Sequence, residues 1–253
     1  MKIGLLSSNT FSKHRLSTLS PILNDNNFLI KIAIIDNTPQ MSTRQKIIKN
    51  FKRGRGLYIL IMALKSLFKQ KKTSMNTEEF CNKEKIKMLK ISIKKDIYSK
   101  NTVNYIKDHE IDILLLLGGF GIVKEPLLSA ASLGILSYHH GDMRKYRGMP
   151  PGLWELYNGE SEIGITVQLL SSGLDCGIPI DEKTIKINKY DTLKKLQDKA
   201  SKKSINMFYD SLKKLSDNNF TPKKIKKFGR VYTLPNMRQW IKLNIKILFN
   251  FIR

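Results

Sequence analysis

The chain has 253 residues, 41% of them hydrophobic, which suits one medium-sized domain with an appendage and excludes a disordered composition. Its 45 Lys and Arg residues against 21 acidic residues give a formal net charge of +24. We therefore expect an anionic partner such as a phosphate, a nucleotide, nucleic acid or an anionic membrane face. An AT-rich genome that encodes Lys, Asn and Ile freely would explain the total charge, but not its clustering.

The cysteines and the apolar runs bear on where in the cell the protein resides. Cys81 and Cys176 are far apart and fit no metal-ligand or redox spacing. No apolar run is long enough for a secretory signal or a membrane span. We predict a cytoplasmic protein with no disulfide and no metal, and contact with a membrane surface is the alternative.

The first half of the chain alternates between strands and helices. Apolar runs at 2–6 and 28–35 predict two strands around a helix, which is typical of a βαβ unit and a parallel sheet. A basic segment without acidic residues, 38–76, interrupts this pattern, and its apolar spacing over 57–72 predicts a basic amphipathic helix. The remaining predicted elements are strands over 89–93, 111–117, 134–138 and 164–170, and helices over 99–109, 123–132, 152–158 and 191–216.

The tail, 220–253, is again basic and ends with helical periodicity. We predict an α/β fold with a mostly parallel, Rossmann-like sheet. The predicted domains are a catalytic domain over 1–182, which carries the helical insertion over 38–76, and a short, basic, helical C-terminal extension over 183–253.

Three loops follow strands that read as parallel: 118–121, 139–148 and 171–177. Such loops meet at the carboxyl edge of an open α/β sheet, where ligands bind. Their convergence would collect His139, His140, Asp142, Lys145, Arg147 and Asp175. Imidazoles, carboxylates and cations together suit catalysis on an anionic substrate.

Residues 111–180 contain a series of short motifs, in the order LLLLGGFG, SYHHGD, KYRG, YNGE, GIT and SSGLDCG. This order resembles the folate-dependent formyltransferases, which include the methionyl-tRNA, glycinamide ribonucleotide and sugar N-formyltransferases. The resemblance implies a formyltransferase-type fold and catalysis by His139 and Asp175. It also implies that the co-substrate 10-formyltetrahydrofolate is held by Gly119, Phe120, Gly121, Ile122, Val123, Ser172, Gly173 and Leu174.

One position departs from the family pattern. The Asn two residues before the catalytic histidine is Ser137 here, and a hydroxyl has a single donor and a shorter reach than an amide. Ser137 could still donate to the oxyanion of the reaction, directly or through a water. Alternatively, His140 or Asp142 takes part of that role, the formyl group is hydrolysed, or the site has decayed.

The expected activity is transfer of a formyl group to a primary amine, with an amino sugar on a nucleotide as the favoured acceptor. Asp142, Lys145 and Arg147 are candidate contacts to this anionic acceptor, and a solvated surface is the alternative for the two cations. Two further functions stay open: formylation of glycinamide ribonucleotide or methionyl-tRNA, and non-catalytic binding of a folate or a nucleotide. For the basic helices over 57–72 and 237–253, we favour packing or a homodimer over membrane contact, and tRNA binding least.

Overall fold

The computed structural model describes residues 1–39, 41–53 and 74–252. Within these ranges the strands are β1 (Lys2–Ser8), β2 (Thr10–Ser12), β3 (Leu29–Asp36), β4 (Ser74–Asn76), β5 (Lys87–Ile91), β6 (Ile113–Leu116), β7 (Ile135–His139), β8 (Tyr146–Gly148), β9 (Glu162–Leu169), β10 (Ile178–Lys186) and β11 (Arg230–Tyr232). The α-helices are α1 (Lys13–Leu23), α2 (Thr43–Phe51), α3 (Thr77–Lys83), α4 (Lys100–Asp108), α5 (Leu153–Asn158), α6 (Leu193–Lys203), α7 (Met207–Ser216) and α8 (Met237–Ile252). The helix predicted over 57–72 lies outside the described residues.

The central sheet has the strand order β10-β9-β7-β6-β1-β3-β5. Strands β7, β6, β1, β3 and β5 run parallel to one another, whereas β9 is antiparallel to both β7 and β10. The mostly parallel α/β fold is therefore confirmed. Two short pairs, β2 with β4 and β8 with β11, lie outside this sheet.

Both faces of the central strands are buried because successive side chains point to opposite sides of a sheet. In β1, Ile3 and Leu5 pack into a core with residues of α1, α3 and α7, whereas Leu6 packs into a second core with residues of α4. Coverage on both faces explains why the apolar runs at 2–6 and 28–35 lack polar alternation.

Residues 123–132 form turns, so the helix predicted there is wrong. Pro126 has no backbone N–H to donate to a helix. The carboxylate of Glu125 also accepts from both the N–H and the hydroxyl of Ser129, at 3.2 and 2.6 Å, which favours a turn over a helical ladder.

The single helix predicted over 191–216 is also wrong, because this segment forms two helices, α6 and α7. The hydroxyl of Tyr138, from β7, lies at the break between them. It donates to the carbonyl oxygen of Ser204 and accepts from the backbone N–H of Phe208. The break depends on a side chain from a distant strand, and the helical spacing within the segment gives no sign of it.

The C-terminal part of the chain contacts the rest of the fold at several points. Met207, Phe208 and Leu212 of α7 share a core with β1. Trp240 and Leu243 of α8 pack with residues of α5, and β11 pairs with β8. The division at residue 182 stays a prediction. None of the helices in the described ranges is long and apolar enough to span a bilayer.

Candidate active site

His139 and Asp175, the predicted catalytic pair, lie side by side. His139 is the last residue of β7, only 6% exposed, and its Nδ1 lies 3.4 Å from Oδ2 of Asp175. The backbone of Asp175 has a φ of 47°, a left-handed conformation that Asp tolerates better than most residues. The loop conformation is thus part of how the carboxylate reaches the imidazole.

The route by which Asp175 arrives differs from the one we expected. The sequence interpretation placed 171–177 at the carboxyl edge of parallel strands, and this was wrong because β9 is antiparallel to β7. The loop instead follows the end of β9 that pairs with Leu136, and Asp175 reaches from this loop to His139. Gln168, which pairs with Ser137 across the two strands, accepts from the N–H of Gly177 at 2.9 Å through its side-chain oxygen and so holds the end of this loop.

The KYRG motif holds both members of the pair through its backbone. The carbonyl oxygen of Tyr146 lies 2.9 Å from Nε2 of His139, and the N–H of Gly148 donates to Oδ2 of Asp175 at 2.7 Å. Strand β11 pairs with β8, the strand that this motif forms. The motif therefore fixes the imidazole and the carboxylate with two atoms that no side-chain substitution removes.

The surroundings favour a charged pair. Burial opposes the imidazolium form, but the adjacent Asp175 outweighs it, and the pKa of His139 is raised above its usual value. Burial likewise opposes the carboxylate form of Asp175, but His139 and the N–H of Gly148 outweigh it, and the pKa of Asp175 is lowered. Both ring nitrogens of His139 face acceptors, which also favours two N–H groups on the ring.

Ser137 and His140, the other two residues predicted to act in catalysis, have different surroundings. Ser137 lies two residues before His139 on β7, so both side chains share one face of the strand. The ring of His140 stacks on that of Tyr138, with 5.9 Å between centroids. Burial and the nearby rings of His14 and His139 lower the pKa of His140 to about 4, so it is neutral at pH 7.

The two loops predicted to hold the folate contain both core and surface residues. Phe120 and Val123 are buried in the core, whereas Gly119, Gly121 and Ile122 are exposed. Ser172, Gly173 and Leu174 of the other loop are all exposed. The surface residues are thus the ones available to a ligand.

The predicted acceptor contacts are engaged within the protein. Asp142 and Lys145 pair with Arg144 and Glu160, and they line a charged pocket of about 260 Å³ whose walls do not include His139 or Asp175. The guanidinium of Arg147 donates to the carbonyl oxygens of Gly229 and Leu174, at 2.8 and 3.3 Å. Arg147 thus lies beside the pair and lines a small cavity with His139, whereas Asp142 and Lys145 line a separate pocket. Contact of these three side chains with an acceptor stays a prediction.

Two further polar residues were missed by the sequence interpretation, and one of them, Glu155, lines a small cavity with His139. Glu155 of α5 is only 3% exposed, and Arg15 of α1 lies so close to Gly118 that a side chain there would collide with its guanidinium. No carboxylate in the described ranges forms an ion pair with Arg15. The sequence signal for Glu155 was an acidic residue inside the apolar run LWELY. No sequence signal indicated Arg15.

Comparisons with known proteins show the family of this chain. A family model described as formyl transferase matches residues 31–212. The chain is 28% identical to the methionyl-tRNA formyltransferase of Caldanaerobacter subterraneus, over 69% of this chain and 52% of that protein. It is 31% identical to the one of Nostoc sp., over 51% and 37%. The chain thus spans about half or less of the length of these relatives.

Solved structures share the fold. A phosphoribosylglycinamide formyltransferase from Anaplasma phagocytophilum has a TM-score of 0.61 at 15% identity, with 92% of this chain and 99% of that chain covered. An N-formyltransferase from Helicobacter canadensis has a TM-score of 0.59 at 14% identity, with 100% and 83% covered. The mostly parallel α/β fold is thus the one that these formyltransferase structures share. The chain belongs to the formyltransferase family, as its motifs indicated.

Proposed function

We propose that this protein transfers a formyl group from 10-formyltetrahydrofolate to a primary amine, and that the acceptor is an amino sugar on a nucleotide. The observation that carries the proposal is the pair of buried His139 and partly buried Asp175, held by the backbone of Tyr146 and Gly148. Such a pair offers both a cation and a proton acceptor next to one reacting carbonyl.

In this reaction the acceptor nitrogen bonds to the formyl carbon and loses a proton. The formyl oxygen gains negative charge, the bond from the formyl carbon to the folate nitrogen breaks, and that nitrogen takes a proton. His139, as an imidazolium, stabilises the developing oxyanion by its charge, and Ser137 on the same face of β7 donates a hydrogen bond to it. Asp175, as a carboxylate, accepts the proton from the acceptor nitrogen through a water.

The folate would lie between the exposed parts of the two loops, at Gly119–Ile122 and Ser172–Leu174. Positive φ angles at Gly119 and Gly121 keep that stretch free of side chains, which suits close approach of a flat ring. Related structures with this fold have been determined with 5-formyltetrahydrofolate or folinic acid.

The choice of acceptor rests on two observations. Sugar N-formyltransferases from Shewanella and Helicobacter canadensis superpose on 98% and 100% of this chain, and the latter was solved with dTDP-3-aminofucose. Arg15 of α1, which has no ion-pair partner in the described ranges, places its guanidinium beside Gly118, just after β6, and is a cation available to bind a phosphate. The curated relatives favour methionyl-tRNA as the second candidate.

A panel of acceptors tests the proposal. The protein is incubated with 10-formyltetrahydrofolate and amino-sugar nucleotides, glycinamide ribonucleotide or methionyl-tRNA, and formylated product is measured. We expect an amino-sugar nucleotide to be formylated fastest, and Arg15→Ala to raise its KM by about tenfold. Formylation of methionyl-tRNA alone would overturn the acceptor, and the absence of any melting-temperature shift with a stable folate analogue would overturn the folate.

A further inference from the structure

Glu155 is a buried carboxylate whose Oε1 has no hydrogen-bond partner among the described residues. It lies in α5, where its neighbours Leu153, Trp154 and Leu156 are buried in an apolar cluster. A carboxylate in such surroundings is costly unless it is paired, hydrogen-bonded or protonated. Burial raises the pKa of Glu155 to about 7, so it retains a negative charge in part at neutral pH.

A small cavity adjoins this carboxylate. Its volume is about 10 Å³, and Glu155, His139 and His140 are among the residues that line it. That volume is close to the space that one water needs, and a buried water requires at least two polar partners. Nε2 of His140 is a second enclosed polar atom without a partner in the described part of the chain.

Glu155 and His139 also affect each other electrostatically. The charge of Glu155 raises the pKa of His139, and His139 in turn lowers the pKa of Glu155. The other charged groups that act on Glu155 are Glu160 and Asp142, which both oppose its ionisation. His140 faces the rings of His14 and His139, and both oppose a charge on it.

We propose that Glu155 is a positioning residue for His139: it shares one buried water with Nε2 of His140, and its negative charge favours the protonated imidazole of His139. The neutral His140 then serves as a fixed hydrogen-bond partner of the water, not as a titrating group. Two carboxylates thus act on His139: Asp175 pairs with its ring, and Glu155 acts through its charge. The benefit to turnover rests on the proposed function; the water and the charge of His139 do not.

Histidine NMR tests the electrostatic half. The protonation midpoint of His139 is measured in the wild-type chain, in Glu155→Gln and in Glu162→Gln, with the signal assigned through its loss in His139→Gln. Glu162 is a matched control because it is an exposed carboxylate on the neighbouring strand β9. We expect the midpoint to fall by at least about half a pH unit in Glu155→Gln and to stay unchanged in Glu162→Gln. An unchanged midpoint in folded Glu155→Gln overturns the proposal.

A crystal structure of the wild-type chain tests the other half, and it decides alone if Glu155→Gln does not fold. We expect one water within about 3 Å of both Oε1 of Glu155 and Nε2 of His140. An empty cavity, or direct contact between the two side chains, overturns the proposal. Neither readout uses a substrate, so both can fail while formyl transfer is detected, and both can hold while it is not.

Discussion

Each ring nitrogen of His139 faces an acceptor that belongs to the protein. Nδ1 faces the carboxylate of Asp175, and Nε2 faces the carbonyl oxygen of Tyr146. A neutral imidazole carries only one N–H and satisfies only one of these acceptors, so the arrangement selects the imidazolium. A charged ring fixed in this way can stabilise an oxyanion by its field while its N–H groups stay bonded to the protein.

We expect the buried carboxylate of Glu155 to make the free energy of unfolding depend on pH. A carboxyl whose pKa is higher in the folded chain than in the unfolded chain contributes stability below its unfolded pKa and loses it as the pH rises through the folded value. For Glu155 this window runs from its usual value of 4.5 to about 7. The glutamine side chain in Glu155→Gln does not titrate, so this variant does not lose stability over that pH range.

We therefore expect Glu155→Gln to gain stability relative to the wild type between about pH 5 and about pH 8, by up to about 3 kcal/mol. Thermal unfolding of both proteins across this range measures it. The exposed variant Glu162→Gln serves as the control and should show no such trend. A stability difference that stays constant with pH would contradict the raised pKa of Glu155.

Among single residues, those that belong to a motif could be predicted from the sequence. Residues that reach the site only through contacts formed in the fold could not. His139 and Asp175 follow from the order of the motifs, and the structure brings them together. Gln168 could not be predicted, because its place depends on strand pairing between β7 and β9. For Glu155 the only signal was an acidic residue in an apolar run, since its burial depends on which side of a short helix faces the core.

Among the elements, the short strand β8 links the site to the C-terminal part of the chain. Gly148, its last residue, donates to Asp175 and has a φ of 91°, which is strained for any other residue. A side chain there would also collide with the carbonyl oxygen of Tyr232 in β11. The glycine of the KYRG motif thus permits the strand pairing and the contact to Asp175 at once.

We expect Gly148→Ala to destabilise the protein by about 2–4 kcal/mol, since it combines backbone strain with a backbone collision. Chemical denaturation measures the change. Gly134→Ala is the matched control, because Gly134 has a φ of 83° but open space around its Cα. Equal destabilisation by the two variants would mean that the collision with Tyr232 of β11 adds nothing to the backbone strain.

The errors in the predicted elements have a common cause. Apolar alternation identifies β9 as a strand but does not give its direction, and the break between α6 and α7 depends on Tyr138 from β7. Both features arise from contacts distant in sequence. The strands over 2–6 and 111–117 were predictable because their burial on both faces leaves a continuous apolar run.

For the whole molecule, the net charge of +24 is the least explained property. In α8, Trp240 and Leu243 pack on the domain, while Ile241, Ile245 and Leu248 are 42–59% exposed. One apolar side of this helix therefore packs on the domain, and a second apolar side is exposed. Dimer formation, membrane contact and tRNA binding through the basic helices stay predictions.

The central claim is that His139, charged through Asp175, drives formyl transfer. The most direct measurement is the pH dependence of formyl transfer by the wild type and Asp175→Asn, with binding of a stable folate analogue measured in parallel. Because Asp175 raises the pKa of His139, the variant should lose the imidazolium at lower pH than the wild type. We predict a kcat at least ~100-fold lower, with an alkaline limb shifted to lower pH and analogue binding retained. Wild-type turnover and an unshifted limb in Asp175→Asn would contradict the account.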